Sequence, residues 1–296
     1  LIEQRLSSQA SALVAEEARV RRHLDDSVHQ MRVAIRRLRA LLRTFRPLLD
    51  AEVAGVLDGE LQWLAGVLGP VRDNQVMATR LHQDLGRLRP DQVVGPVSEM
   101  LDRALSAEGN RSAALMASVL DGGRYATLTR SLARSAGETV VFGGRELIAA
   151  SAGEAAAELV PALVARERSR LGRRARDARS ATPGEERDAA FHRLRKSAKR
   201  LRYALETAEP AYGSRAVKAA RAVSALQESL GERQDAVVAL AFLREEGARV
   251  AQRPGESAYS YGVLAGSLAR MIWEAEAAFE GEWKGVLRKL GRRPLG

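Results

Sequence analysis

A nineteen-residue pattern occurs twice in this chain, and a fold that accommodates it must be built from two like halves. "HQMRVAIRRLRALLRTFRP" (29–47) and "HRLRKSAKRLRYALETAEP" (192–210) match at a constant offset of 163 residues. The offset pairs His29 with His192, Arg32 with Arg195, Arg36 with Lys199, Arg37 with Arg200, Leu38 with Leu201, Arg39 with Arg202 and Pro47 with Pro210. A second echo follows each copy, "LGPVRD" (68–73) and "LGERQD" (230–235), in which Leu, Gly and the final Asp recur. Such spacing marks an internal duplication with halves of about 150 residues. The first repeat is expected over 1–140 and the second over 141–296.

Within each half the pattern is helical. Met31, Ile35, Leu38, Leu42, Phe45 and Leu49 follow a three-and-four spacing that makes one apolar helix face. Asp25, Asp26 and Ser27 are N-cap candidates, and Pro47 marks the end. Further helices are expected over 3–22, 50–68, 71–88, 91–119, 124–136, 145–180, 186–209, 214–230, 234–250 and 257–290. Breaks are expected at "LGP", "LRP", "DGG", "FGG", "ATPGE", "AYGS", "LGE" and "RPGE". Aromatic residues are only 4% and no segment alternates with a period of two, so strands are not expected. The predicted fold class is all-α, two helical bundles side by side about a pseudo-twofold axis. A hydrophobic content of 46% can fill their core.

The charge is concentrated where the repeat lies. Segment 27–46 carries six basic and no acidic residues, and 166–202 carries fourteen basic and five acidic; the remainder is mildly acidic, although the whole chain is +10. Such concentration points to a polyanionic partner. Part of the preference for arginine over lysine, 42 to 5, fits the codon usage of a GC-rich genome. There is no long uncharged apolar run and no secretory signal pattern, so the expectation is a cytoplasmic protein with no membrane partner. The absence of cysteine excludes disulfides, thiolate metal sites and cysteine nucleophiles.

On a helix wheel with His29 at zero, Arg32, Arg36, Arg39 and Arg43 fall within about 280–340°, opposite the core residues. His192, Arg195, Lys199 and Arg202 occupy the same angles in the second copy, with Lys196 and Tyr203 close by, while Arg37 and Arg200 lie to one side, suited to packing or a rim. A solvated helix face is the ordinary explanation for charged residues. Such faces usually mix signs, because like charges at i,i+4 cost about as much as opposite charges gain, ~0.2–0.5 kcal/mol. Two matching ladders of one sign indicate an anionic ligand, and arginine's planar fork suits phosphate.

"VHQMRVAIRRLRALL" with "LGPVRDNQV", and "FHRLRKSAKRLRYALE" with "LQESLGERQDAVV", resemble the CHAD domain, the conserved histidine α-helical domain, over essentially the whole chain. The resemblance implies two four-helix bundles with a basic central groove that binds inorganic polyphosphate. It also implies occurrence alone or fused to a triphosphate tunnel metalloenzyme domain, and for some members association with polyphosphate granules; a partner enzyme of phosphate metabolism is a further candidate partner for this chain. The polyphosphate-binding candidates are His29, Arg32, Arg36, Arg39, Arg43, Arg72, His192, Arg195, Lys196, Lys199, Arg202 and Tyr203. The counterpart of Arg72 is Gln234, so the two halves are expected to differ there. Two ladders, each about 15 Å long over ten residues, suit a linear chain of phosphates.

Other classes fit less well. Nucleic acid is the alternative polyanion, but the ladders offer almost no aromatic side chains for base stacking. A phosphorelay domain would use one phosphotransfer histidine, whereas here two are embedded in arginine. An enzyme acting on phosphoanhydrides needs metal-binding carboxylates or a nucleophile beside the ladder, and none stands in these blocks. The expectation is therefore a non-catalytic protein without cofactor or metal. His29 and His192 either touch phosphate or hydrogen-bond a neighbouring helix and shape the groove; nearby arginines should depress their pKa until a polyanion binds. His23 and His82 read as structural. Tyr203 has a choice between phosphate and a cap on the core, and Asp73 is expected to orient an arginine. Arg166, Arg170 and Arg173 are candidates to extend the groove, and Trp273, Phe279 and Trp283 to serve core packing or a dimer contact.

Overall fold

The computed structural model describes residues 2–133, 141–142, 145–148, 152–291 and 295. Helix α1 (Ile2–Arg21) leads into α2 (Ser27–Thr44), and a short 3-10 turn (Arg46–Leu48) holds Pro47. Then follow α3 (Ala51–Leu85), α4 (Val97–Leu120) and α5 (Gly123–Ala133). A two-residue antiparallel pair, β1 (Val141–Phe142) with β2 (Arg145–Glu146), precedes α6 (Ala152–Ser180), α7 (Glu185–Val250) and α8 (Tyr259–Leu290). Gly213 (φ 55°, ψ −135°) is non-helical and divides α7 into a first arm, 185–212, and a second arm, 214–250. The expected break at "AYGS" lies there, at a backbone conformation that glycine tolerates best.

The helices recur at the spacing of the sequence repeat. Helix α3 begins at residue 51 and the second arm of α7 at 214, while α4 begins at 97 and α8 at 259. The apolar stripe of α2 is fully inside: Met31, Ile35, Leu38, Leu42 and Phe45 are all buried. Burial of such side chains contributes about 1.5–3 kcal/mol each. One core joins α1, α2, α5, α6, most of α3, the end of α4, the first arm of α7 with the beginning of the second, and the end of α8. A second core joins Leu81, Val97, Leu101 and Leu105 from the first half to Leu243, Val250, Tyr261 and Leu264 from the second. Each core thus draws on both halves.

Several expected breaks are absent. Helix α3 runs through "LGP" with Pro70 inside it, because Leu61, Leu64, Leu68 and Val71 are buried on one continuous face. Their combined burial outweighs the ~3 kcal/mol that an interior proline costs. The second arm likewise runs through "LGE". The helix expected from 91 begins at Val97, after a 3-10 turn at Pro90–Gln92 and the positive φ of Gly95. Residues 145–148 are extended instead of helical: β2 pairs with β1, Ile148 bridges Leu49, and the Asp50 amide donates to the Leu147 carbonyl. The expected end of the helix over 124–136 and the expected repeat boundary at residue 140 fall outside the described residues.

Of the three expected N-cap candidates Asp26 takes the position, without a side-chain bond to a helix amide. Its backbone is left-handed there, and its carboxylate accepts from the Gln30 side chain. Asp50 caps α3, accepting from the amides of Glu52 and Val53. Phe279 stacks with Trp283 in the core, whereas Trp273 is 68% exposed. Among the described residues no helix is long and apolar enough to cross a membrane.

Candidate functional site

Helix α2 packs against α7, and their buried stripes fix which way the basic residues face. With Met31, Ile35 and Leu38 turned into the core, Arg32 and Arg36 are only partly buried; Leu194, Ala198 and Leu201 do the same for Arg195 and Lys199. These residues line a cavity of about 300 Å³ with Asp73, Val76, Met77 and Arg80 of α3 and with His192, Lys196, Gln234, Asp235 and Val238 of α7. Four helical segments meet here, α2 with α3 from one half and the two arms of α7 from the other. Six basic side chains, Lys199 and five other Arg or Lys, share this space with two carboxylates.

The two sides repeat each other in detail. Arg32 Nη2 lies 3.4 Å from Asp73 Oδ1, and Arg195 Nη2 lies 3.9 Å from Asp235 Oδ1. Each arginine passes over a glycine of the following helix. A β-carbon on Gly69 would stand 2.9 Å from Arg32 Nη1, and one on Gly231 would stand 3.2 Å from Arg195 Nη2. The glycines of "LGPVRD" and "LGERQD" therefore give room for the guanidinium, and the aspartates at the ends of those motifs receive it. The expected orienting role of Asp73 has this geometry behind it. Arg36 and Lys199, partners under the 163-residue offset, line the same cavity from opposite halves.

Electrostatics reflect the surplus of positive charge. Burial, then repulsion from Arg195 and Arg36, pulls Lys199 down to about 7. Burial is also the main cause that lowers Arg32 and Arg195. Asp235 is raised by burial despite Arg195, Lys199 and Arg80 acting in the opposite sense. The Nε atoms of Arg32, Arg36 and Arg195 are buried and make no hydrogen bond among the described residues. A buried donor left unpaired costs about 1–3 kcal/mol, so these guanidiniums are held at some cost to stability in the free protein.

The histidines occupy unequal positions. His192 lines the cavity, with its Nδ1 3.1 Å from the accepting Oε1 of Gln234, and burial followed by Lys196 lowers its pKa. His29 has Arg72 in place of that amide; burial and then Arg72 lower its pKa, while Asp26, 3.6 Å from Arg72, raises it. The lower rungs of the first ladder are occupied. Arg39 Nε donates to Asp58 Oδ1 at 2.9 Å, and Arg43 reaches Asp58 Oδ2 through both Nε and Nη2. In the second copy Arg202 pairs with Glu206 and Ser224, and Tyr203 is buried beside a different recess with Arg5 and Arg37. Arg37 approaches Glu206, and Arg200 is bound to the buried Glu167.

Of the candidates named from the sequence, the structure brings Arg32, Arg36, His192, Arg195, Lys196 and Lys199 together in the cavity, with His29 and Arg72 beside it. Arg80 was not anticipated. It lies one helical face along from Asp73, Val76 and Met77, a three-and-four spacing readable in the sequence, but the second repeat has no equivalent arginine to draw attention to it. Among the described residues, no three His, Asp or Glu side chains converge as metal ligands.

Comparison with known proteins places this arrangement among others. The CHAD domain family profile matches residues 4–244. Two uncharacterized proteins of Mycobacterium tuberculosis are each 30% identical over 259 residues, covering 88% of this chain and 48% of theirs. The chain thus spans about half the length of the curated relatives it matches. PptA from Streptomyces chartreusis superposes with a TM-score of 0.75 at 23% identity, covering 96% of this chain and 98% of its own. The CHAD domain from the plant Ricinus communis superposes at 0.68 and 24%, covering 96% and 90%. At these identities the two structures share the fold.

Proposed function

This chain belongs to the CHAD domain family, and from that premise we propose that it binds inorganic polyphosphate, without turning it over, in a basic groove between α2 and α7. The observation that carries the reading is the lining of the cavity: six basic side chains and two carboxylates, with Arg36 and Lys199 contributed as equivalents by the two halves. A small monovalent anion would leave most of that charge unanswered. A chain of phosphates offers repeated charge and many acceptor oxygens for arginine's donors. Among the described residues the lining includes no Phe, Tyr or Trp, so apart from the His192 ring it has little aromatic surface for bases to stack on, which favours an inorganic polyanion over single-stranded nucleic acid. The proposed polyphosphate contacts are Arg32, Arg36, Arg195, Lys196 and Lys199, with His192 and His29 at the margins; Arg80 lines the cavity, but its Nε donates to Asp84 at 2.6 Å, so it contributes field more than a free donor. In the proposed setting the protein is cytoplasmic and resides where polyphosphate accumulates.

The test is calorimetric titration of long-chain polyphosphate into the parent protein and into the Arg36→Ala, Lys199→Ala double variant. The parent should lose about fifty-fold in affinity between ~50 and ~200 mM salt, if four contacts follow the single-strand counterion slope. The double variant should bind far more weakly and with a flatter salt dependence. Retained affinity in the double variant, or displacement of polyphosphate by RNA at equal phosphate concentration, would refute the reading. Phosphate release by the pure protein in magnesium would refute its non-catalytic part.

A further inference from the structure

A second recess of about 310 Å³ opens where the turn after α2 meets α6 and the first arm of α7. It gathers Arg43, Arg46, Arg166, Arg170 and Arg200 around one carboxylate, Glu167. Glu167 is 3% exposed, and its Oε1 accepts from Arg170 Nη1 at 3.1 Å and from Arg200 Nη2 at 2.8 Å. A carboxylate so deeply buried requires a cationic partner. With two guanidiniums on one oxygen it also fixes both, so Glu167 serves as an internal strut that aims arginines from two helices at one place.

The remaining charges are not neutralised locally. Arg43 shares Asp58 with Arg39, so that carboxylate already serves two cations. Arg46 and Arg166 are exposed and meet no carboxylate among the described residues. The Nε of Arg200 is buried and makes no hydrogen bond among the described residues. Burial depresses Arg200, Glu167 opposes that, and Arg170 and Arg43 add to it, so these groups sense one another electrostatically. Codon usage and solvation account for scattered surface arginines. They do not account for five that converge from four elements of the fold, α2, the 3-10 turn, α6 and α7, on a single recess where like charges repel.

We propose that this recess is a second oxyanion site, distinct from the groove of Arg36 and Lys199, which takes a phosphate group between Arg46, Arg166 and the Glu167-anchored Arg200. Phosphate is the chemical class that matches the surplus of cations, since a polyvalent tetrahedral anion can accept from several guanidinium forks at once. The group can come from free inorganic phosphate or from a polyphosphate that continues past the groove. Arg36 and Arg43 are two turns apart on α2, about 10.5 Å, so one extended chain can reach both places.

Arg46→Ala with Arg166→Ala tests this on the full chain, with orthophosphate, tripolyphosphate and long polyphosphate as titrants. Both side chains are exposed, so the far-ultraviolet dichroism melt should overlay that of the parent. The double variant should lose one tripolyphosphate site or bind orthophosphate about tenfold more weakly, and Lys at both positions should restore part of the loss. If long polyphosphate also binds more weakly, the site takes a segment of the chain; if it does not, the site takes the free ion. Arg36→Ala with Lys199→Ala should leave this second site intact, so failure of the groove reading is separable from failure of this one. Unchanged stoichiometry and affinity for orthophosphate and tripolyphosphate in the Arg46, Arg166 variant would overturn the proposal.

Discussion

The guanidinium of Arg32 lies against Gly69, with Nη1 only 2.9 Å from where a β-carbon would stand. Arg195 repeats the approach at Gly231, at 3.2 Å. Alanine in place of a helix-interior glycine normally stabilises by about 1 kcal/mol. Here the added methyl displaces a flexible arginine from its aspartate, so stability and binding should separate. Gly231→Ala is expected to melt at or above the parent temperature and to bind polyphosphate several-fold more weakly. Calorimetry on both properties checks this; equal affinity would show that Arg195 does not need its seat on α7.

Lys199 links binding to pH. Its folded value of about 7 lies below the ordinary 10.5, because burial and the neighbouring Arg195 and Arg36 disfavour its charge. Between those values the unfolded chain binds more protons than the folded one, so the stability of the free protein should rise with pH across that window. A bound polyanion favours the ammonium form and restores the proton. Titrations near pH ~8 in buffers of different ionisation heat should therefore show uptake of about one proton. Lys199→Arg should remove most of that uptake while retaining binding.

The two histidines should titrate differently when Arg72 is changed. Arg72 is the second cause, after burial, that lowers His29, whereas His192 faces Gln234 at the equivalent place. Arg72→Gln should raise the His29 pKa and leave His192 where it is, as followed by the imidazole proton shifts in an NMR titration. An unmoved His29 would mean that burial alone sets its value.

Arg233 is 2% exposed, sits over the ring of Phe191 and binds Asp188 and Glu276. Removing one member of a buried ion pair typically costs 3–5 kcal/mol. Both carboxylates keep some contact with solvent, so Arg233→Met should cost about 3 kcal/mol in denaturant unfolding. Polyphosphate affinity should hold, because Arg233 does not line the cavity.

The sequence by itself determined that the chain is helical, that it repeats at an offset of 163 residues, and which face of α2 and of the first arm of α7 is apolar. Helix periodicity dictates those properties locally, from residues three and four apart. It could not decide which rungs of the ladder stay available, because that depends on acids arriving from elsewhere in the chain. Arg36 and Arg39 look equivalent on a helix wheel, yet Arg36 lines the cavity while Arg39 is held by Asp58, 19 residues away on α3. Glycines at "LGP" and "LGE" read as helix breaks from composition, and only the crossing of Arg32 and Arg195 over the helices that contain them explains their presence within continuous helix. Arg80 and the Glu167 recess escaped the repeat for the same reason: packing between distant segments assembled them, and local periodicity has no knowledge of what packs against a helix.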